Sequence, residues 1–253
     1  MLLVCDAGNS NIVLGLYDGD ELIANWRLTS RLDATVDEYL VSFGTLLSQF
    51  EGRDEIIGAV LSSVVPPLTE SISSAIGSIA GVEPLLVGPG VRTGLDVQYD
   101  DPREVGADRI VNAVGALSRH EAPLVVVDFG TATTFDVILP PSIYLGGVIA
   151  PGLEIARDAL IANTAMLPKV EIREIEQVVG RNTADSIRSG LYRGAGALVD
   201  GLVEAISKEQ GIDPTVIATG GLAGVIRGAC ARIDHVEPDL TLWGLREVYL
   251  RNK

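Results

Sequence analysis

Lysine is nearly missing from this chain of 253 residues, occurring only at Lys169, Lys208 and Lys253. None of the three follows a glycine-rich loop in the order Gly-Lys-Ser/Thr, so a P-loop is excluded. Histidine is as scarce, at His120 and His235, which argues against a zinc site or a histidine-based triad. Cysteine occurs only at Cys5, in a predicted first strand, and at Cys230, in a predicted late helix. Two distant cysteines form no metal or disulfide pattern and read as buried thiols in a reducing compartment. Long hydrophobic runs are also lacking: the longest, Ile56 to Val65, contains Gly58, Ser62 and Ser63 and is too short to span a bilayer. The stretch from Met1 to Cys5 has no basic region and meets Asp6 too early for a signal peptide, so a cytoplasmic location is expected.

Positive charge is in deficit, with a formal net charge of −15. A field of that sign repels nucleic acid and anionic membranes, and neither is expected as a partner. It repels ATP as well. An anionic substrate therefore needs local help from arginine, backbone amides, helix N-termini or a cation. The hydrophobic content of 47% and charged content of 21% are those of a folded globular protein rather than a disordered one.

What is present is a repeated grammar. Residues 2–17 read LLVCDAGNSNIVLGLY and residues 125–139 read VVVDFGTATTFDVIL. Each is an apolar run closed by Asp-x-Gly, followed by small hydroxyl or amide residues and a second run, as two strands joined by a tight hairpin would be. Asp6 and Asp128 occupy matching positions. The glycine two residues later lets the backbone turn closely, and the small polar side chains that follow suit a phosphate cradle. A duplication of this kind in a chain of this length predicts two similar lobes, over residues 1–117 and 118–253, each a mixed sheet flanked by helices.

Between these motifs the pattern predicts a third strand over 21–28 and a helix around Tyr39 to Leu47 that Gly52 terminates. A buried strand at 56–65, a helix opened by Pro66-Pro67 and a strand over 82–87 follow. Residues 91–101 read as an irregular connector with an exposed aromatic, Tyr99. Pro102 suits the beginning of a helix whose apolar face is Val105, Val111, Val114 and Leu117. The second lobe repeats the three strands over 124–149, then has helices from Gly152 to about Ala165 and from Thr183 to Glu209 with Asn182 as N-cap. A buried strand over 215–218 runs into Thr219-Gly220-Gly221, and the last residues, DLTLWGLREVYLRN, form a helix.

Three loops follow strands and are candidates for a nucleotide cleft: 6–10, 128–134 and 219–221. Asp6 and Asp128 near phosphates imply Mg²⁺ and a second cation, since like charges are otherwise costly. Gly106-Ala107-Asp108-Arg109 is the candidate for chemistry. A carboxylate there can deprotonate an attacking hydroxyl and the arginine can hold an anionic group, although a helix-surface Asp-Arg pair has the same spacing. Thr183 and Asp185 read as helix-capping residues.

The sequence is similar over essentially its whole length to the type III pantothenate kinases of the actin-like, sugar kinase and Hsp70 superfamily. The motifs in order are DAGNSNIVLGL, DPREVGADRIVNA, VVVDFGTATTFDV, YLGGVIAPGL, GRNTADSIRSGL, IATGGLA and DLTLWGL. The resemblance implies two ribonuclease H-like lobes with the nucleotide cleft between them, and ATP-dependent phosphorylation of the primary hydroxyl of pantothenate, the first step of coenzyme A synthesis. It implies ATP phosphate contacts by Asp6, Ala7, Gly8, Asn9, Ser10, Asn11, Ile12, Val13 and Thr131, and Asp108 as general base. Tyr99, Gly106, Ala107, Asp108, Arg109 and Thr183 would line the pantothenate pocket, with Thr183 reaching across a homodimer. Asp128 would hold K⁺ or NH₄⁺, required beside Mg²⁺, while Asp6 would face Mg²⁺ through the phosphates. Ser10 stands where the family more often has threonine and keeps the hydroxyl. The rival readings are an accessory protein that keeps the fold without catalysis and a phosphohydrolase of the same superfamily.

Overall fold

The computed structural model describes residues 1–50 and 55–253, and Gly52 lies outside them. The chain divides into two compact units. The first comprises Met1–Leu95, Asp100–Ser118 and Leu240–Lys253, and the second Asp96–Tyr99 and Arg119–Asp239.

The first unit opens with β1 (Leu2–Ala7), β2 (Asn11–Asp18) and β3 (Glu21–Thr29), an antiparallel meander. Helix α1 (Val36–Leu47) follows, started by a capping box in which Thr35 and Glu38 each satisfy the other's backbone N–H. It stops at Leu47, short of the expected terminator. Strand β4 (Gly58–Ser63) lies parallel to β1, and β5 (Leu85–Leu86) parallel to β4, giving the order β3-β2-β1-β4-β5. Between them α2 (Pro66–Ala80) has prolines in its first turn and Gly81 in the left-handed conformation at its end. The edge strand is shorter than the predicted 82–87 because Pro84 has no N–H to donate to the ladder.

Pro102 does not begin the next long helix. Pro102–Glu104 form a separate 3₁₀ turn capped by Asp101, Val105 and Gly106 are extended, and α3 runs over Ala107–Leu117. That break moves Asp108 from mid-helix to the first turn. The last helix, α7 (Leu240–Asn252), belongs to the first unit rather than to a C-terminal lobe beginning at 118. It packs on α3 and on Val4, Tyr17 and Val60 of the sheet, while α1 and α2 cover Leu3, Cys5 and Leu61 on the opposite face. The α3–α7 crossing is close: a Cβ at Gly244 would collide with the Val111 carbonyl, and one at Gly115 with the Leu240 carbonyl.

The second unit repeats the plan. Strands β7 (Leu124–Phe129), β8 (Ala132–Leu139) and β9 (Ile143–Pro151) form the meander, and β10 (Thr215–Thr219) lies parallel to β7. The burial pattern of β7 matches that of β1 residue for residue, and the ladder irregularity at Leu16/Tyr17 recurs at Val137/Ile138. Two short strands absent from the sequence reading complete the order β11-β10-β7-β8-β9-β6: β6 (Asp96–Val97) and β11 (His235–Val236). Helices α4 (Leu153–Ala162), α5 (Thr183–Gln210) and the short α6 (Ala223–Ile226) flank this sheet, and Val125, Phe135, Tyr192 and Val199 centre its core. Cys230 follows a 3₁₀ turn in extended backbone and is not helical. Its thiol is pushed up to about 12 by burial and the Asp200 charge, and burial also raises Cys5, so both stay protonated. Among the described residues no helix is long and apolar enough to cross a membrane.

The glycines of the first unit give a prediction of opposite signs. Gly44 within α1 has open space at its Cβ position, so Gly44→Ala should stabilise by about 0.5–1 kcal/mol. Gly244→Ala should destabilise by about 1–3 kcal/mol because the α3–α7 backbones must part. Calorimetric melting of both variants checks this, and a neutral Gly244→Ala would contradict the packing described.

Candidate active site

In the first unit the site is built at the carboxyl end of the β1/β4 pair. Asp6 is half-buried on β1, paired with Val13 of β2 on one side and Ser62 of β4 on the other. The loop beyond it is closed by the Gly8 N–H donating to the Asn11 carbonyl at 2.9 Å. Ser30 braces the loop from β3, its hydroxyl donating to the Gly8 carbonyl at 2.6 Å and its N–H to the Ser10 carbonyl at 3.0 Å. Asn9 and Ser10 are exposed at the tip. Ala7 and Ile12, expected among the phosphate contacts, have fully buried side chains in the α1–α2 core, so they anchor the loop and their side chains do not line it.

The start of α3 stands at the same end of this sheet. The Ala7 carbonyl accepts from the Val64 N–H at 3.1 Å, and the Val64 side chain lies 3.5 Å from where a Gly106 Cβ would be. Asp108 folds back over Gly106, so any side chain at 106 would displace its carboxylate. That carboxylate accepts from the Arg109 N–H at 2.8 Å. Burial raises the Asp108 pKa above the ordinary aspartate value, and the Arg109 N–H bond and Arg109 charge offset the rise only in part. Arg109 is itself buried, at 7% exposure, a placement that a solvated helix-surface pair would not have.

In the second unit Asp128 is the last residue but one of β7, paired with Thr134 and with Thr219. The Gly130 N–H donates to the Ala132 carbonyl at 3.1 Å, repeating the Gly8 closure. Gly220 adopts φ +90° and sits against the Asp128 carboxylate and the Phe129 carbonyl, where a Cβ has no room. The loops at 128 and 219 thus meet within this unit, leaving a carboxylate and a main-chain carbonyl side by side. Thr131 is exposed, with its carbonyl over Gly152, another position that a Cβ would fill. Tyr99 is half-buried rather than exposed, its ring about 3.5 Å from the Cβ position of Gly146, because β6 ties the connector to β9.

Thr183 is exposed at the first position of α5, away from the Asp128 loop in sequence and on a different element. Asn182 is the cap, its side-chain oxygen accepting from the Asp185 N–H at 2.8 Å, while the Asp185 carboxylate accepts from the Asn182 amide at 2.8 Å and pairs with Arg188 at 2.8 Å. The Asn182 hydrogen bond, with Arg188 adding to it, holds Asp185 below its usual range. Several buried polar groups were missed, two of them on strands. Asp136 is fully buried on β8 and accepts from the Tyr144 hydroxyl at 2.6 Å; Ser62 is fully buried beside Asp6. The strand pattern marked both as interruptions of an apolar run, which was the available signal.

The family model for type III pantothenate kinase matches residues 2–205. The chain belongs to the type III pantothenate kinase family. Among similar curated kinases of that name, one from Syntrophotalea carbinolica is 51% identical, with 100% of each chain covered. One from Brevibacillus brevis is 47% identical, again with 100% of each covered. Solved structures that share the fold are more distant. A Campylobacter jejuni chain named as a Baf family transcriptional activator is 21% identical with a TM-score of 0.62, covering 99% of this chain and 98% of the other. The Thermus thermophilus ROK hexokinase is 15% identical with a TM-score of 0.52, covering 100% and 99%. At those identities the likeness establishes the actin-like α/β fold alone.

Burial of Asp108 has a thermodynamic sign. Its folded pKa lies above its unfolded one, so the fold opposes ionisation. The penalty is absent below the unfolded aspartate pKa of about 4, grows as pH rises toward the folded pKa, and is fully present above it. Asp108→Asn is therefore expected to raise the melting temperature at pH 7.5 relative to the parent, and to leave it unchanged near pH 4. Equal shifts at both pH values would show that Asp108 is not desolvated.

Proposed function

We infer that the chain transfers the γ-phosphoryl group of ATP to the primary hydroxyl of pantothenate, forming 4′-phosphopantothenate, the first step of coenzyme A biosynthesis. The observation that carries this reading is family membership, with relatives matched over the full length and Asp6, Asp108 and Asp128 all present.

In this reading Asp108 accepts the hydroxyl proton as the new O–P bond forms, and ADP departs with the electrons of the broken bridging P–O bond. Desolvation makes the Asp108 carboxylate a stronger base than an exposed aspartate, which supports the assignment. Its place in the first turn of α3 sets it at a helix N-terminus, where developing negative charge on the phosphoryl group is favoured. Arg109 supplies the buried cation for an anionic substrate group in a chain that is otherwise strongly acidic. Tyr99, Gly106, Ala107 and Thr183 are assigned to pantothenate. Thr131 and the loop from Asp6 to Val13 are assigned to the ATP phosphates.

The donor sets suit the cations. Asp6 stands at a strand end with a buried hydroxyl, Ser62, beside it, which fits hydrated Mg²⁺. Asp128 has a main-chain carbonyl next to its carboxylate, in a cradle that a Cβ at Gly220 would fill, which fits K⁺ or NH₄⁺. When bound, these cations neutralise charge on the phosphates. The location consistent with this chemistry and with two protonated, unpaired thiols is the cytoplasm.

A homodimer is supported by one surface of the second unit. Along α5 the exposed residues Gly190, Gly194, Ala197, Leu198, Gly201 and Ala205 recur at three- or four-residue spacing, a small-residue face that lets a helix approach closely. Helix α4 exposes Ile155 and Leu160, and a hollow of about 150 Å³ lined by Leu153, Gly190, Gly194 and Leu198 lies between the two helices. The occupant of this surface is a second copy of the chain.

Two measurements test these assignments. Purified protein with Mg²⁺-ATP should form ADP only when pantothenate is present, faster in K⁺ than in Na⁺ buffer, and Asp108→Asn should lower turnover by about 100-fold or more. ADP release without pantothenate would point to a phosphohydrolase, and no turnover from folded protein to an accessory role. In light scattering the parent should run at twice its 26.7 kDa chain mass and Leu198→Glu as a monomer; a monomeric parent would remove the dimer.

A further inference from the structure

Ser62 ends the buried part of β4, in direct register with Asp6 on the parallel strand β1. Strand alternation fixes its direction. Val4 and Val60 face the α3–α7 core, whereas Cys5 and Leu61 face the α1–α2 core, so Asp6 and Ser62 both turn toward the α3–α7 side. Ser63, on the other side, is engaged: the Thr69 hydroxyl donates to it at 2.8 Å. The Ser62 hydroxyl is 0% exposed and has no hydrogen-bond partner among the described residues. An alanine would fill this site without the cost of an unsatisfied polar atom, so packing alone does not account for serine.

The second unit repeats the arrangement. Thr219 on β10 is in direct register with Asp128 on β7 and is 1% exposed. At each Asp-x-Gly turn a buried hydroxyl residue therefore stands beside the aspartate on the neighbouring parallel strand. The duplication extends beyond the motif visible in sequence to a partner more than 50 residues away from Asp6.

We propose that Ser62 is a positioning residue for the hydrated divalent cation that accompanies the nucleotide, its hydroxyl accepting a hydrogen bond from a water of the cation's shell beside Asp6. This rests on the reading of the Asp6 loop as a phosphate site. Mg²⁺ releases its water shell reluctantly, so protein groups hold it largely through those waters, and a hydroxyl that accepts from one and donates onward suits that task. Ser62 touches no reacting atom and acts through the cation.

The test is the Mg²⁺ dependence of thermal stabilisation by ADP, measured for the parent, Ser62→Ala and Ser62→Thr, with Mn²⁺ electron paramagnetic resonance as a direct readout of cation binding. Ser62→Ala is expected to raise the half-saturating Mg²⁺ by about 10-fold and weaken Mn²⁺-ADP binding to match, with ADP binding in EDTA unchanged and the ligand-free melting temperature raised by loss of the unsatisfied hydroxyl. Ser62→Thr, the residue used at the equivalent position 219, should keep the parental Mg²⁺ midpoint. A Ser62→Ala midpoint equal to the parent's would overturn the proposal, as would a lower ligand-free melting temperature with no change in cation affinity. If the parent itself shows no Mg²⁺-dependent stabilisation by ADP, the phosphate-site reading falls first and this proposal with it.

Discussion

The structure depends on a central strand in each unit whose backbone is hydrogen-bonded along both edges. Strand β1 pairs through the same six residues, Leu2 to Ala7, with β2 antiparallel and with β4 parallel. Strand β7 pairs likewise, with β8 through Leu124 to Phe129 and with β10 through Leu124 to Asp128. A strand saturated on both edges and covered on both faces must be apolar throughout, which is why Leu2 to Cys5 and Leu124 to Val127 are buried without interruption. A carboxylate is tolerable only where that confinement ends. Asp6 and Asp128 are the first side chains in each strand to gain exposure, so sheet formation itself delivers a negative charge to the strand end.

From that constraint the electrostatics follow. With a net charge of −15, the chain has no general attraction for anions, and it relies on a few placed groups. Arg109 is buried at the start of α3, and close glycines at 130 and 220 bring backbone near Asp128. Asp108 is the opposing case, an acid held partly out of water at a thermodynamic cost to the fold. Its neighbour Gly106 is required by space and not by conformation, since its φ of −55° is ordinary and the Asp108 carboxylate occupies the room that a side chain would need.

Legibility followed the range of the interactions. The hairpins at 2–17 and 124–139 were readable because a strand pair joined by a tight turn is written in contiguous residues. Asn182 was readable as a cap for the same reason: its bond to the Asp185 N–H spans three positions. The start of α3 was misplaced at Pro102, because a proline signals a helix beginning without saying whether the turn it opens continues past Val105 and Gly106. Tyr99 was read as exposed because β6, the strand that pulls it against Gly146, is two residues long and exists only through pairing with β9.

The sequence by itself determined the fold class, the two Asp-x-Gly turns and the family, and it singled out Asp108 as the candidate for chemistry, since all of these reside in local periodicity and contiguous motifs. Tertiary structure alone decided that Leu240–Lys253 returns to the first unit, that Ile12 and Ala7 are core rather than loop surface, and that Ser62 and Thr219 stand beside the two aspartates. The physical reason is that strand register and helix packing bring together residues far apart in the chain, and no local pattern records which distant backbone completes a ladder or fills the space above a glycine.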